Sequence, residues 1–125
     1  MGSFETFNQF VAAINARDAK ALAALMTDDH VFVDSMGNRT QGAASMEAGW
    51  NGYFAMCPDY RIRPDDVIAE GAVVLAVGEA GGTIDGVSWR TPAAWKAVIR
   101  EAKVAEWRVF AENKPVFEIL AKRRP

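Results

Sequence analysis

Apolar residues at Phe4, Phe7, Val11 and Ile14 recur at the spacing of one helix face, with Phe10 widening the stripe and Ser3 in place as an N-cap. Asp18 caps a second, shorter helix whose buried side is Leu22, Leu25 and Met26, until Thr27-Asp28-Asp29 interrupts the pattern. His30-Val31-Phe32-Val33-Asp34 reads as a strand, and Met36-Gly37-Asn38 supplies turn chemistry. After Gly42, a third helix carries Met46, Trp50, Tyr53, Phe54 and Cys57 along one stripe and ends at Pro58.

Beyond Pro58 the period changes from helix to strand. Tyr60 to Ile62, Val67-Ile68, Val73 to Val77 and a long run from Trp89 onward are separated by Pro64, Gly71, Gly81-Gly82 and Asp85-Gly86, which predicts an antiparallel meander. In the last two strands Trp95, Ala97 and Ile99 alternate with Lys96, Val98 and Arg100. Ala105, Trp107, Val109 and Ala111 alternate in the same way with Glu106, Arg108 and Phe110. One face is wholly apolar and has to pack on the helices, with aromatic side chains bulky enough to line a cavity between the two layers. Asn113-Lys114-Pro115 opens a short last helix bearing Phe117 and Leu120. The expectation is an α+β fold, with residues 1–125 as one domain around one largely apolar pocket.

Composition narrows the function classes. A chain of 125 residues, half of them hydrophobic, buries one sizeable core and is too short for two ordinary domains. A net charge of −2 provides no broad field for nucleic acid or an anionic membrane, so neither is expected as a partner. The lone Cys57 excludes an intrachain disulfide, and no secretory signal or membrane-length apolar run is visible, so the expected location is cytoplasmic. Met1 to Thr6 fits an N-myristoylation pattern with no polybasic second signal after it. One histidine and one cysteine make no zinc cluster, and Gly78 to Gly82 lacks the lysine of a phosphate loop. No cofactor or metal is implied.

Four stretches of sequence carry a resemblance. Asn15-Ala16-Arg17-Asp18, Asp29 to Asp34, Pro58-Asp59-Tyr60 and Val67-Ile68-Ala69-Glu70-Gly71 resemble the nuclear transport factor 2-like superfamily, in particular its SnoaL-like and ketosteroid-isomerase-like branches. The resemblance covers nearly the whole chain. It implies a cone-shaped, cystatin-like roll in which a curved, mostly antiparallel sheet is wrapped by three N-terminal helices around one deep pocket. It also implies a homodimer through the outer sheet face, where Val98 and Phe110 stand among Lys96, Arg100, Glu106 and Arg108. It specifies no chemistry, because isomerases, cyclases, hydrolases, dehydratases and non-catalytic association modules share the fold.

Asp34 matches the position of the general base in the isomerase-like enzymes. A carboxylate facing an apolar cavity loses hydration and becomes suited to moving a proton beside a carbonyl, but an aspartate at a strand end also caps turns, and both readings stand. The oxyanion donors of ketosteroid isomerase, a tyrosine and a protonated aspartate, are not preserved: the tyrosine position falls at Phe10, which has no donor, and the aspartate position falls near Trp95; the isomerase is also a general illustration of carboxyl tuning. The candidate ligand-binding residues are Phe10, His30, Trp50, Tyr53, Phe54, Trp95 and Trp107, the indoles and the phenol being available as donors. His30 and Asp34 share a strand face but stand about 13 Å apart, too far for a dyad. Asp59 and Glu79 are second-acid candidates, each reading equally as a turn or surface residue. The ligand expected is a compact, partly apolar, carbonyl-containing molecule, used either for isomerisation, cyclisation or dehydration with Asp34, or simply bound.

Overall fold

The computed structural model describes residues 2–123, so Met1, where the acylation pattern begins, lies outside the described residues. The elements are α1 (Ser3–Asn15), α2 (Ala19–Ala24), β1 (Met26–Val33), β2 (Arg39–Gln41), α3 (Ala43–Met56), β3 (Arg61–Glu70), β4 (Val73–Ile84), β5 (Val87–Arg100), β6 (Lys103–Ala111) and α4 (Lys114–Ala121). The six strands form one curved, open sheet in the order β2-β1-β6-β5-β4-β3, antiparallel except where β1 runs parallel to β6. This is the mixed α+β architecture that the helix and strand periods predict. No helix among the described residues is long and apolar enough to cross a membrane.

Local chemistry explains the joints. Ser3 does not cap α1. Gly2 holds that position and donates its N–H to Glu5, while the Ser3 hydroxyl donates to the Gly71 carbonyl at 2.6 Å and pins the helix start to the β3–β4 turn. Asp18 caps α2 as expected, accepting from the Ala21 N–H at 3.0 Å. At the end of α1, the Asn15 amide donates to the Ile62 carbonyl at 3.0 Å and accepts from the Ile62 N–H at 2.8 Å. The amide therefore behaves as one more strand residue beside β3. Arg17, in the left-handed region at φ 52°, donates to the carbonyls of Asn15 and Tyr60.

The strands run longer than the Gly and Pro signals suggest. Met26 and Thr27-Asp28-Asp29 lie in β1, not at a helix end, because Met26 already pairs with Val104 of β6. Pro64 does not separate two strands but sits at a bulge inside β3, opposite Gly78; a Cβ on Gly78 would lie 1.9 Å from the Arg63 carbonyl oxygen. Gly81-Gly82 likewise lies inside β4. In β6 the expected alternation slips by one residue. A register shift at Val98/Ile99 brings Val104 against Ile99, so Val104 is fully buried and Ala105 only half-buried.

The core is concentrated under α1. Phe7, Phe10, Ile14 and Leu22 are inaccessible to solvent, as are Ala97 and Val104, and Trp95 and Trp107 are 1% exposed. Phe10 lies 4.7 Å from Trp107 and Phe7 lies 5.6 Å from it, ring centroid to centroid. These bulky groups fill one end of the space between sheet and helices, and the other end stays hollow.

Candidate functional site

β4 borders the hollow through Ala80. Its inward positions after Val74 are Ala76, Gly78, Ala80 and Gly82, a run of small residues at period two, and neighbouring β5 presents Thr91 and Ala93. Gly78 and Gly82 are covered by the Arg63 carbonyl and by Cys57, so the open space between the sheet and α3 lies over Ala80 and Thr91. The cavity between them measures about 430 Å³, within the size range of small-molecule sites. Ala80, Trp89, Thr91, Val109 and Ala111 line its sheet side, and Ser45, Met46, Gly49, Trp50, Tyr53 and Met56 line its α3 side. Phe32 and Tyr60 complete the walls, while Asp34, Ser35, Met36, Asn113, Val116, Phe117 and Leu120 also border it.

The aromatic lining is mutually braced. Tyr60 stacks toward Trp89 at 6.1 Å and 25°, Tyr53 meets Tyr60 edge-on at 4.8 Å, and Phe32 meets Trp50 edge-on at 6.1 Å. Gly82 lies between Tyr60 and Trp89 in the sheet, and a Cβ there would come 2.3 Å from the Cys57 sulfur. Burial pushes the phenols of Tyr53 and Tyr60 well above their ordinary range, so both remain neutral donors. Burial also pushes the Cys57 thiol up, which leaves it an unreactive packing group.

Of the side chains singled out from the sequence, the structure brings Asp34, Trp50 and Tyr53 to the cavity. Phe10, Trp95 and Trp107 do not line it. They are the packed core described above, because α1 lies directly over that end of the sheet. Phe54 is 8% exposed and stands behind Trp50, 5.4 Å away, on the helix side of the wall. His30 is also outside the cavity, fully buried beside Phe10, with Nδ1–H donating to the Val104 carbonyl at 2.7 Å. Its other nitrogen, Nε2, is buried without a partner, and burial lowers its pKa, so the ring stays neutral.

Asp34 has the geometry of a turn cap at the cavity's edge. Its Oδ1 accepts from the N–H groups of Met36 and Asn38, both at 2.9 Å, and its Oδ2 accepts from the Asn38 side chain at 3.2 Å. Next to it, Ser35 Oγ accepts from the Asn113 amide at 2.8 Å, tying this loop to the start of α4. Asp59 does not line the cavity. It holds the corner after α3 to β4, accepting from the Thr83 N–H at 2.7 Å and the Thr83 hydroxyl at 2.8 Å, and these donors keep its carboxyl below the ordinary range. Glu79 faces the other side of β4 and pairs with Arg63 at 3.6 Å. Among the described residues no basic side chain lines the cavity, and no cluster of three or more His, Cys, Asp or Glu is placed to hold a metal.

Sequence reasoning missed Phe32, Tyr60, Ala80, Trp89 and Thr91. The signal for three of them was present. Tyr60, Trp89 and Thr91 flank a strand whose alternate positions are too small to fill the space they border.

Comparison with known proteins places this architecture. A model of the SnoaL-like domain matches residues 7–114. A putative SnoaL-like polyketide cyclase from Shewanella denitrificans superposes with a TM-score of 0.85 at 13% identity, covering 96% of this chain and 97% of that one. An LEH-like epoxide hydrolase from M. tuberculosis gives 0.82 at 16% identity, covering 96% and 90%. A protein of ketosteroid isomerase-like fold from Catenulispora acidiphila, in complex with trimethylamine, gives 0.77 at 20% identity, covering 84% and 83%. At these identities the likeness is one of fold. No curated protein matches the chain.

Proposed function

We infer that this chain, which belongs to the SnoaL-like domain family, acts as a one-domain small-molecule-binding protein that holds a compact, largely apolar ligand in the cavity between α3 and the sheet. The observation that carries the reading is the cavity itself. About 430 Å³ is left open between braced aromatic walls, with the small Ala80 and Thr91 on its sheet side. Asp34 serves chiefly to fix the turn at the edge of the cavity. Trp50 and Tyr53 act as wall residues, and Phe10, His30, Phe54, Trp95 and Trp107 support the wall from behind.

Filling the cavity tests this. Ala80→Leu places an isobutyl group on the cavity's sheet side, and small aromatic ketones that raise the melting temperature of the native protein are expected to lose that effect in the variant. A ligand at 100 times its Kd contributes about 2.7 kcal/mol, a shift easily seen in a thermal melt. Equal responses from the two proteins would place binding elsewhere.

A second reading keeps Asp34 as a general base, supported by its being the only carboxylate among the described residues that line the cavity. It predicts that Asp34→Asn abolishes turnover of a carbonyl substrate while affinity and melting temperature hold. A large loss of melting temperature would instead identify the turn cap as its role.

The outer sheet face supports a homodimer. Ile68, Leu75, Val77 and Phe110 are about half or more exposed there, beside the Lys96–Glu106 pair at 3.3 Å and the Arg108 guanidinium over the Phe110 ring at 5.0 Å. Light scattering behind gel filtration measures it, and a monomer at micromolar concentration would rule it out.

A further inference from the structure

The deep wall of the cavity carries hydroxyl groups that nothing in the protein engages. Tyr60 is 8% exposed and Thr91 4%, yet among the described residues neither hydroxyl has a hydrogen-bond partner. Neither is sealed away, in contrast to the indole N–H of Trp50, which is both buried and unpartnered. Since both residues line the cavity and are otherwise enclosed, the cavity is the space their oxygens face. They are placed by rigid elements. Tyr60 immediately precedes β3, where Arg17 holds its carbonyl and Asn15 locks the next-but-one residue, Ile62. Thr91 stands on β5 opposite Ala80 of β4, which pairs in turn with Ile62.

Two enclosed hydroxyls with no protein partner are left to hydrogen-bond whatever occupies the cavity, water or a ligand that displaces it. The charge of that ligand is constrained as well. Among the described residues no lysine, arginine or histidine lines the cavity, so a buried carboxylate or phosphate would have no counter-ion among them, while an uncharged oxygen needs only the donors present. We propose that Tyr60 and Thr91 are the specificity-determining donors of this cavity, which hold the oxygen of an uncharged carbonyl-bearing ligand while the aromatic walls take its flat apolar body. This rests on the cavity reading above and adds to it the identity of the donors and the charge of the ligand.

Three probes of one shape test it by equilibrium dialysis: 2-acetylnaphthalene, which has a carbonyl; 2-ethylnaphthalene, which lacks oxygen; and 2-naphthoate, which is an anion. The native protein is expected to bind the ketone roughly tenfold more tightly than either of the others. Tyr60→Phe and Thr91→Val should each weaken ketone binding about three- to tenfold and leave the hydrocarbon unchanged. The double variant should bind ketone and hydrocarbon alike, with an unchanged or higher melting temperature. Retention of the ketone preference by the double variant, or tightest binding of naphthoate, overturns the proposal. Ala80→Leu separates the two levels of inference. If it abolishes binding of ketone and hydrocarbon but the native protein prefers neither, the donor assignment alone fails. If it leaves ketone affinity untouched, or if the native protein binds none of the probes, the cavity reading fails and the donor assignment with it.

Discussion

His30 is the only histidine in the chain, so its titration can be read in isolation. The ring is fully buried, its Nδ1–H donates to the Val104 carbonyl at 2.7 Å, and Nε2 has no partner to accept a second proton's hydrogen bond. Burial is the largest influence and lowers its pKa; the Val104 carbonyl and the more distant carboxylates of Asp29 and Glu106 pull upward without prevailing. The unfolded chain therefore takes up a proton near pH 6.5 that the folded chain refuses. Stability is full above that pH and falls as the pH drops below it, by at most about 1.4 kcal/mol between pH 7.5 and 5.5 if the folded ring takes no proton in that range. Urea denaturation at half-unit pH steps measures this. His30→Asn is the control, since its amide can still donate toward Val104 but does not titrate; it should be less stable overall and flat over the same interval. A native protein whose stability is flat from pH 7.5 to 5.5, or a variant as steep as the native protein, would refute the reasoning.

Three other perturbations probe the joints that shape the cavity. Asn15→Ala removes both hydrogen bonds to Ile62 and leaves a strand N–H and carbonyl without partners, which should cost about 1–3 kcal/mol in a denaturation midpoint at unchanged m-value. Gly82→Ala drives a methyl group to 2.3 Å from the Cys57 sulfur and should cost about 1–3 kcal/mol. Combining it with Cys57→Ala, which vacates that volume, should recover part of the loss, so the two changes will not add. Asp59→Asn should weaken the acid dependence of stability. The Thr83 donors hold the native carboxyl below its ordinary value near 3.8, so its contribution is present above that pH and is lost as the pH falls through the folded value. A melt series from pH 5 to 2.5 compares the two proteins.

The elements were legible in the sequence because each rests on a local rule. The α3 stripe, the α1 stripe from Phe7 to Ile14, the Asp18 cap and the turns at Gly71 and Asp85-Gly86 stand where spacing and residue type put them, whereas Phe4 at the start of the α1 stripe is half exposed. Where the reading failed, a non-local partner had overruled the local signal. Pro64 ends a strand on propensity alone, but a bulge opposite Gly78 lets β3 continue through it. Ala105 has the right parity to face inward, and one register shift gives that place to Val104. Neither partner can be known before the strands are paired.

The cavity was harder to read, for a different reason: it is defined by missing volume. Aromatic residues draw attention in a sequence, so Phe10, Trp95 and Trp107 look like walls, yet large groups lying opposite one another under a helix pack into solid core. What leaves this cavity open is a small residue on its floor, Ala80, and in the sequence Ala80 stands in a glycine-rich stretch that resembles a weak strand or a turn. The same logic separates the stretches that identify the family from those that would identify a ligand. Asn15-Ala16-Arg17-Asp18 and Pro58-Asp59-Tyr60 are joints, stitched to Ile62, to each other and to Thr83. They fix the fold whatever the cavity holds. Tyr60 is where the two roles meet, since its backbone belongs to the joint and its phenol to the cavity. On the cavity reading proposed above, ligand choice would rest on side chains such as the Tyr60 phenol and Thr91, neither of which takes part in these joints.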